Sequence, residues 1–502
     1  MSLKVYNSLT RQKEVFQPIN PPYVGMYVCG PTVSGESHLG HARPFITFDV
    51  LYRYLMYLGY KVRYVRNITD AGHFEEEGRE AEDKISTKAI LEKLEPMELV
   101  QKYTNLYHWA MSQFNNLPPS IEPTATGHIV EQIEMIKKII TDGYGYESNG
   151  SVYFDVEKYN TDFTAKGQPY GILSGRVLDE QIESTRELDN QEEKRNKSDF
   201  ALWKKAPAEH IMRWQSPWGE GFPGWHIECS AMSTKYLGDE FDIHGGGMDL
   251  QFPHHECEIA QSTVCNHKMP ARYWLHNNMI TINGKKMGKS YGNQIMLSQM
   301  FSGQHPLLEQ AYAPSTIRFF ILQSQYRSTL DFGNDALQGS EKALRRLMEA
   351  FDWLQQQTGM GSTGAGIDTA LDDKVKKLVA DFDTFMNDDL NTAKVIANMF
   401  ELVPVINSIK DKYIAATALH TDTVALLTKQ LHVYILDIFG LQNSKADNNN
   451  KLEGVLQLLI NIRKEAKSKK DFVTSDKIRN ELALLGVQLK DEKDGGMSFT
   501  IQ

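Results

Sequence analysis

The sequence predicts an α/β protein with a doubly wound parallel sheet, an inserted region, a C-terminal helical bundle and a small C-terminal α/β domain. An apolar run at residues 23–28 precedes a turn and a helical stripe of Phe48, Leu51, Leu55 and Leu58, and residues 61–66 form a second strand-like run. After about residue 326 the apolar residues recur only at helical spacing. Strands that alternate with helices before that point are typical of a parallel sheet.

Changes in composition divide the 502 residues into segments, and a chain of this length exceeds one compact domain. Residues 117–223 begin L-P-P-S-I-E-P and stay irregular, so we expect an insertion between two halves of the sheet domain, 1–116 and 224–325. We expect a helical bundle in residues 326–443, with Leu337, Leu344, Leu347 and Phe351 on one stripe. The polar string S-K-A-D-N-N-N-K at 444–451 predicts a linker, so that the segment 444–502 comprises this linker and a small domain.

The charge distribution bears on the choice of partner. A net charge of −10 argues mildly against nucleic acid, because phosphate contacts need lysine and arginine. Basic runs at residues 342–346 and 463–470 are either solvated helix faces or local contacts for a phosphate backbone. Their expected phosphate-facing residues are Lys342, Arg345, Arg346, Lys467, Lys469 and Lys470.

Hydrophobicity and cysteine content predict the compartment. No apolar run approaches the roughly 18 residues of a membrane span. The opening M-S-L-K-V-Y-N lacks the basic and apolar regions of a secretory signal, so we expect a cytoplasmic protein without a membrane partner. The four cysteines, Cys29, Cys229, Cys257 and Cys265, are then metal ligands, a nucleophile or inert core thiols rather than a disulfide framework.

Two strings are candidates for binding phosphate. Residues 29–41 read C-G-P-T-V-S-G-E-S-H-L-G-H, and the helix predicted after them aims its N terminus, His38 and His41 at the turn. The string K-K-M-G-K-S at 285–290 follows a short strand and an Asn283-Gly284 turn. Taken singly, such histidines are more often capping residues, and such lysines more often belong to a solvated loop.

Two cysteines, a histidine and a glutamate form a candidate ligand set for Zn²⁺. Cys29 and Cys229 each lie at the end of an apolar stretch, one in each half of the predicted sheet domain. His254 and Glu258 are four residues apart and project from one face if residues 252–260 are helical. From spacing alone, a set of ordinary core residues is the more frequent explanation.

The phosphate-site strings together resemble the paired HIGH and KMSKS motifs of class I aminoacyl-tRNA synthetases, in the same order. Three further strings are similar to the cysteinyl-tRNA synthetase family: M-Y-V-C-G-P-T-V at 26–33, G-W-H-I-E-C-S-A-M at 224–232 and D-I-H-G-G-G-M-D-L-Q-F-P-H-H-E-C-E at 242–258. The resemblance covers almost the whole chain. It implies a Rossmann-type class I synthetase fold whose helical bundle and small C-terminal domain recognise tRNA.

The resemblance also implies roles for individual residues. The implied zinc ligands are Cys29, Cys229, His254 and Glu258, with one Zn²⁺ per chain that binds the substrate thiolate and excludes serine. The implied ATP-binding residues are His38, Gly40, His41, Gly247, Asp249 and Lys289, and the implied catalytic residues are His38, His41, Lys286 and Lys289. Thr32 and Trp225 are expected to contact the amino acid. We expect at least two of three nearby histidines to orient the zinc ligands: His226, His244 and His255.

The expected reaction joins L-cysteine to tRNA(Cys) through cysteinyl-adenylate, with ATP entering as its Mg²⁺ complex. We expect the enzyme to be a monomer. Gly245-Gly246-Gly247, expected to follow a strand at 240–243, would let the nucleotide approach the backbone. Two positions depart from the family: Gly288 replaces the usual serine, and Cys257 replaces the usual asparagine. Two alternatives remain, a mycothiol-pathway cysteine ligase and an inactive tRNA-binding paralogue. The long C-terminal region disfavours the first, and the retained phosphate-handling residues disfavour the second.

Overall fold

The computed structural model describes residues 2–72, 85, 88–89, 94–176, 193–208, 210–288, 291–364, 366–442, 445–469, 471–485, 487–491 and 497–501. The chain divides into two compact units, Met1–Gln442 and Asn443–Gln502. Among the described residues, no helix is both long enough and apolar enough to cross a membrane.

The larger unit contains most of the secondary structure. Its strands are β1 (Lys4–Asn7), β2 (Gln12–Val15), β3 (Tyr23–Val28), β4 (Lys61–Arg66), β5 (Gly145–Ser148), β6 (Ser151–Phe154), β7 (Phe200–Lys205), β8 (Trp214–Ser216), β9 (Gly219–Pro223), β10 (Phe241–Gly247), β11 (Ala271–Asn277), β12 (Ile280–Ile282), β13 (Lys285–Lys286) and β14 (Leu330–Phe332). Its α-helices are α1 (Leu39–Tyr57), α2 (Pro96–Gln113), α3 (Ile129–Thr141), α4 (Val156–Phe163), α5 (Trp225–Leu237), α6 (Glu256–Asn266), α7 (Leu297–Ser302), α8 (Pro314–Leu322), α9 (Asn334–Gln355), α10 (Thr369–Met386), α11 (Thr392–Lys410) and α12 (Thr421–His432).

A parallel sheet in the order β11-β10-β3-β4 forms the centre of this unit. Its strands come from both predicted halves, with Ile243 opposite Met26 and Tyr23 opposite Lys61. The bounds predicted for β3 and β4 are confirmed. Because the strands are parallel, the residues that follow β3, β4, β10 and β11 gather at one edge of the sheet, where α/β folds bind ligands.

Helix α1 is largely enclosed by the rest of the protein, since thirteen of its nineteen residues are buried. It lies against β10, where a Cβ atom on Gly245 would approach Phe48 to 2.3 Å, so only glycine permits this packing distance. A helix buried on most sides is apolar around most of its circumference. The turn that carries His38 is therefore anchored by a rigid element.

A buried charge cluster fastens α1 to the end of the helical bundle. Asp49 on α1 accepts hydrogen bonds from Arg53 and from Arg318 on α8, and both guanidinium groups also donate to backbone carbonyls. Those carbonyls include Asp437 and Phe439, which follow α12. Each buried cation thus has a carboxylate partner and further acceptors, the condition for retaining charge in a core.

The inserted region folds as a five-stranded antiparallel sheet in the order β5-β6-β7-β9-β8. The loop after α4 contacts α6. There the buried Glu256 carboxylate accepts hydrogen bonds from the backbone N–H groups of Gly171 and Ser174. The Tyr170 hydroxyl lies 3.2 Å from Cys257 Sγ. The insertion therefore packs against the helix that carries Glu258.

Helices α9 to α12 form the predicted bundle, and the stripe of Leu337, Leu344, Leu347 and Phe351 is buried as expected. The N-terminal strand joins this bundle: Lys4 N–H donates to the Asn387 carbonyl, and Tyr6 N–H to Asp389. The beginning of the chain thus contacts the junction between α10 and α11.

The smaller unit contains α13 (Lys445–Ser468), α14 (Phe472–Leu484) and a hairpin of β15 (Val487–Asp491) and β16 (Met497–Ile501). Leu456, Leu482 and Val487 form its core. The linker predicted at 444–451 is wrong from Lys445 onward, because α13 already includes these residues. Helix propensity is a weak guide where a long helix continues into apolar turns.

Candidate metal centre and nucleotide site

The four predicted zinc ligands converge at the carboxyl edge of the central sheet. Cys29 follows β3, Cys229 lies on α5, and Glu258 lies on α6. His254 belongs to an irregular turn, Gln251–His255, in which Phe252 is not helical, so the helix predicted at 252–260 begins only at Glu256. One donor atom from each residue lies within 4.8 Å of every other, and all four side chains are buried.

The donor separations match a tetrahedral zinc site. Cys29 Sγ and Cys229 Sγ are 3.9 Å apart, and His254 Nε2 lies 3.4 Å from Cys229 Sγ and 3.2 Å from Glu258 Oε1. Ordinary zinc bond lengths place two thiolates ~3.8 Å apart, a thiolate and an imidazole ~3.6 Å apart, and an imidazole and a carboxylate ~3.4 Å apart. The Cys29 Sγ to Glu258 Oε1 distance of 3.8 Å also agrees with this geometry. The donor atoms are therefore already separated by the distances of a zinc site, without any movement of the side chains.

The electrostatics of the cluster also favour a cation. Burial raises the pKa of the Cys29 thiol, the Cys229 thiol and the Glu258 carboxyl. The two thiolates are disfavoured further by the nearby Glu258 carboxylate, whose charge raises the pKa of both thiols. A divalent cation would remove this mutual repulsion.

A second combination of donors shares two of these residues. Cys29, His244, His255 and Glu258 also lie within 4.8 Å of one another. His244 Nε2 is 2.9 Å from Glu258 Oε2, and His255 Nε2 is 3.3 Å from Cys29 Sγ. These are hydrogen-bond distances, and histidines in such positions orient metal ligands.

The third predicted supporting histidine contacts His254. His226 Nδ1 lies 2.9 Å from His254 Nδ1, so a metal-binding Nε2 on His254 requires that its Nδ1 donate this hydrogen bond. The Trp225 ring lies against the same imidazole with centroids 4.3 Å apart and remains 37% exposed. His226, His244 and His255 each contact a different member of the donor set.

The sequence reasoning missed residues that support the cluster. His276 Nε2 lies 2.8 Å from His255 Nδ1, and its own Nδ1 lies 2.8 Å from Ser8 Oγ. Asn67 Oδ1 accepts from Gly30 N–H at 2.9 Å. Thr69 donates to the buried Glu228 at 2.9 Å and pairs in a β-bridge with Thr32, which is exposed. The position of His276 at the carboxyl end of β11 was the available signal.

The predicted phosphate-binding turn forms the N terminus of α1. His38 Nδ1 accepts from Gly40 N–H at 3.1 Å, and His41 Nδ1 accepts from His38 N–H at 3.3 Å. Burial lowers the pKa of His38 to about 4 and that of His41 to about 3. Both neutral rings therefore carry their proton on Nε2, where it is available to an acceptor such as a phosphate oxygen.

The lysine string begins on β13, where Lys285 and Lys286 are exposed and pair with Ile282 and Thr281. The predicted Asn283-Gly284 turn is confirmed by positive φ angles of 50° and 73°. Met287 reaches the helix turn, because a Cβ on Gly40 would lie 2.7 Å from Met287 Cε. Lys289 lies outside the described residues, so its predicted role is not tested.

The glycine run differs from its prediction. Strand β10 extends through Gly247, so the three glycines belong to the strand rather than to a loop after it. Gly245 accommodates Phe48, and a Cβ on Gly246 would approach His255 to 3.0 Å, so these two glycines serve packing within the protein. Gly247 ends the strand, and the exposed Asp249 follows it at the ligand-binding edge.

Residues 15–342 match the family model for the catalytic domain of class I (C) tRNA synthetases, and residues 381–442 match a DALR domain. The chain is 57% identical over 496 residues to a protein of Bacteroides thetaiotaomicron named Cysteine--tRNA ligase, with 98% of each chain covered. The chain belongs to the cysteinyl-tRNA synthetase family. A family member from Chlorobaculum tepidum is 45% identical over 507 residues, again with 98% of each chain covered.

Solved structures of other class I synthetases share the fold. A Mycobacterium tuberculosis methionyl-tRNA synthetase in complex with methionyl-adenylate has a TM-score of 0.55 at 11% identity, covering 83% of this chain and 89% of that one. A leucyl-tRNA synthetase complex with tRNA from Agrobacterium radiobacter has a TM-score of 0.57 at 11% identity, covering 84% and 85%. At this identity the likeness concerns the fold alone.

Proposed function

We propose that this member of the cysteinyl-tRNA synthetase family activates L-cysteine with ATP, releases pyrophosphate and transfers cysteine to the 3′ end of tRNA(Cys). The observation that carries the proposal is the buried donor cluster beside Trp225. It lies at the same sheet edge as the N terminus of α1, so an amino acid bound at the cluster would have its carboxylate near an ATP phosphate.

We assign Cys29, Cys229, His254 and Glu258 as the zinc ligands. Their separations fit the ion, whereas His244 and His255 are placed to hold Glu258 and Cys29 in orientation. A zinc ion held there supplies preferential binding of a thiol as thiolate, which a serine hydroxyl cannot match. Shape alone discriminates poorly between such similar side chains, and the donor set therefore explains specificity without an editing domain.

The first half-reaction depends on placing the carboxylate of cysteine against the α-phosphate of ATP, which enters with Mg²⁺. His38 and His41 donate Nε2–H to phosphate oxygens, and the N-terminal dipole of α1 adds a positive field. Lys286 and Lys289 neutralise the leaving pyrophosphate, Gly247 and Asp249 contact the nucleoside, and Thr32 contacts the amino acid. Charge stabilisation of this kind is the main contribution that a protein makes to phosphoryl chemistry.

The remaining segments serve tRNA. The bundle of 326–443 and the domain of 444–502 carry the exposed basic residues Lys342, Arg345, Arg346, Lys467 and Lys469. Lys469 also pairs with Glu465 at 2.6 Å, and Lys470 lies outside the described residues. We propose that the exposed group contacts the tRNA backbone. We further propose a monomer that acts in the cytoplasm.

The test measures ATP–pyrophosphate exchange with cysteine, with serine and without an amino acid, followed by charging of tRNA(Cys). We expect exchange with cysteine alone, and charging that depends on tRNA(Cys). Exchange without charging, together with transfer of cysteine to an amino sugar, would instead identify a mycothiol-pathway ligase. Absence of exchange with tRNA binding retained would identify an inactive paralogue.

A further inference from the structure

Arg43, two residues after His41 on α1, connects this helix to a distant part of the chain. Its side chain is 1% exposed. Nη1 donates to the Met279 carbonyl at 2.7 Å, and Nη2 donates to the carbonyls of Ser328 and, at 3.4 Å, Gln325. The planar fork of arginine thus joins two backbone segments that are not adjacent in sequence.

Both segments support the lysine strand. Met279 immediately precedes β12, and Ser328 lies shortly before β14, which pairs with β12 in parallel. Strand β12 in turn pairs with β13, which carries Lys285 and Lys286. Arg43 therefore links the helix that bears His38 and His41 to the base of the strand that bears Lys286.

The segment beyond the lysine string returns to the same helix. Leu39 N–H donates to the Ile295 carbonyl, and Leu297 N–H donates to the Ser37 carbonyl, each at 2.9 Å. The entrance to the string is fixed through Arg43 and its exit through this backbone pairing. The lysine string is thus attached to the first turns of α1 at both ends.

Stability alone does not account for Arg43. Among the described residues, no carboxylate lies within ion-pairing distance of its guanidinium, and its Nε has no hydrogen-bond partner. A buried cation held only by carbonyl groups carries an uncompensated desolvation cost, and burial lowers the pKa of Arg43 to about 10. An apolar side chain would avoid that cost but could not bind three carbonyl oxygens.

We propose that Arg43 is a positioning residue that sets the separation between the histidines at the start of α1 and Lys286 of β13. This inference rests on the proposed function, because it assigns both groups to the same triphosphate. Arg43 does not touch the substrates. It acts by fixing the two sides of the phosphate site at the distance that the reaction requires.

The test compares Arg43→Met with Arg53→Met. Arg53 lies on the same helix, is also buried, and also donates to two backbone carbonyls, those of Asn115 and Asp437, far in sequence from the lysine strand. We expect Arg43→Met to lower kcat for pyrophosphate exchange by about 10- to 100-fold, since a small displacement of reacting groups has effects of this size. The KM for cysteine and the zinc content should stay at wild-type values. Arg53→Met should reduce thermal stability without this loss of kcat.

A second measurement does not depend on turnover. Trypsin cleaves after exposed lysines, so a non-hydrolysable ATP analogue bound under the string should protect the Lys285–Lys286 region in wild type and in Arg53→Met. We expect protection to weaken in Arg43→Met and to recover in part in Arg43→Lys, which keeps the charge but not the fork.

The inference would be overturned if folded, zinc-loaded Arg43 variants kept the protection and the kcat of the wild-type protein. It would also be overturned if Arg43→Met and Arg53→Met lost kcat and protection to the same extent. Failure of the wild-type protein to exchange with cysteine would instead contradict the proposed function.

Discussion

The thiols of Cys29 and Cys229 lie 3.9 Å apart in a site that also contains the Glu258 carboxyl group, and burial raises the pKa of all three groups. Without a cation, the thiols must stay protonated to remain buried. Metal binding and proton release are therefore coupled at this site, and loss of one thiol should change both.

Replacement of Cys229 tests the assignment. We expect Cys229→Ser to weaken zinc binding by more than the about 10- to 100-fold that a supporting residue contributes, because a ligand rather than its partner is removed. Elemental analysis after dialysis against a weak chelator measures the change. Cys265→Ser is the matched control, since Cys265 on α6 is 1% exposed in the core that this helix shares with the insertion, and its thiol donates to the Met135 carbonyl. Full zinc content in Cys229→Ser would remove this residue from the ligand set.

The histidines of the phosphate turn predict a pH effect on stability. Their pKa values, about 4 for His38 and about 3 for His41, lie below the ordinary 6.5, so below pH 6.5 the unfolded chain takes up protons that the folded chain does not. The contribution of the two neutral histidines to the free energy of unfolding is complete above pH 6.5, and it is lost progressively as the pH falls towards 4. Thermal unfolding between pH 7.5 and 5 should show a falling midpoint.

The control for this effect is His38→Asn. Asparagine can accept the Gly40 N–H in place of Nδ1, so the helix cap is retained while the titrating group is removed. We expect a shallower pH dependence in this variant. An unchanged slope would mean that other groups cause the acid sensitivity.

Sequence spacing could not predict the cluster by itself, because Cys29 is 200 residues from Cys229 and 229 from Glu258. The resemblance supplied those residues. It did not supply His276 and Ser8, since the position of His276 at the end of β11 does not reveal its partners until the turn before α6 brings His255 beside it. Long-range pairing of this kind depends on the fold rather than on any short pattern.

At the scale of elements, the geometry of strand β13 gives its two adjacent lysines different surroundings. Successive side chains of a strand point to opposite faces, so Lys285 and Lys286 cannot both face the phosphate turn. We expect Lys286→Ala to lower the exchange rate by about 10²- to 10³-fold, the effect of removing one charge-stabilising donor. Lys285→Ala is the control and should have a much smaller effect. Equal effects of the two changes would indicate a general electrostatic contribution.

Gly288, where the resemblance implies a serine, is held by Asn293. Its backbone N–H donates to Asn293 Oδ1 at 2.9 Å, and the Asn293 amide donates to the Lys286 carbonyl at 3.1 Å. Asn293 therefore constrains this part of the string whichever residue occupies position 288.

Element boundaries were predicted best where turns enclose short apolar runs, as for β3 and β4. They were predicted worst where tertiary packing decides. The glycines of β10 continue the strand because Phe48 and His255 pack against Gly245 and Gly246. Likewise, α6 begins only at Glu256, because the preceding turn is shaped to deliver His254 to the cluster.

At the scale of the molecule, Met1–Gln442 forms one compact unit that contains the donor cluster, the phosphate turn and β13. A truncated protein that ends at Gln442 should therefore keep ATP–pyrophosphate exchange near the wild-type rate. We expect it to discriminate less well among tRNAs, because it lacks the C-terminal unit and its basic helix. Charging assays with cognate and non-cognate tRNAs measure this selectivity. Undiminished selectivity would make the C-terminal unit dispensable for recognition.

The separation of the cluster along the chain has a consequence during synthesis. At translation rates of about 5–20 residues per second, roughly 10–50 s pass between the emergence of Cys29 and that of Glu258. The inserted antiparallel sheet, β5 to β9, emerges completely within that interval. On a nascent chain, Cys29 consequently lacks the complete ligand set until α6 leaves the ribosome, and its thiol is open to oxidation or to capture by another metal. Slower translation would lengthen this period. Oxidative stress would increase the oxidation of Cys29 during it.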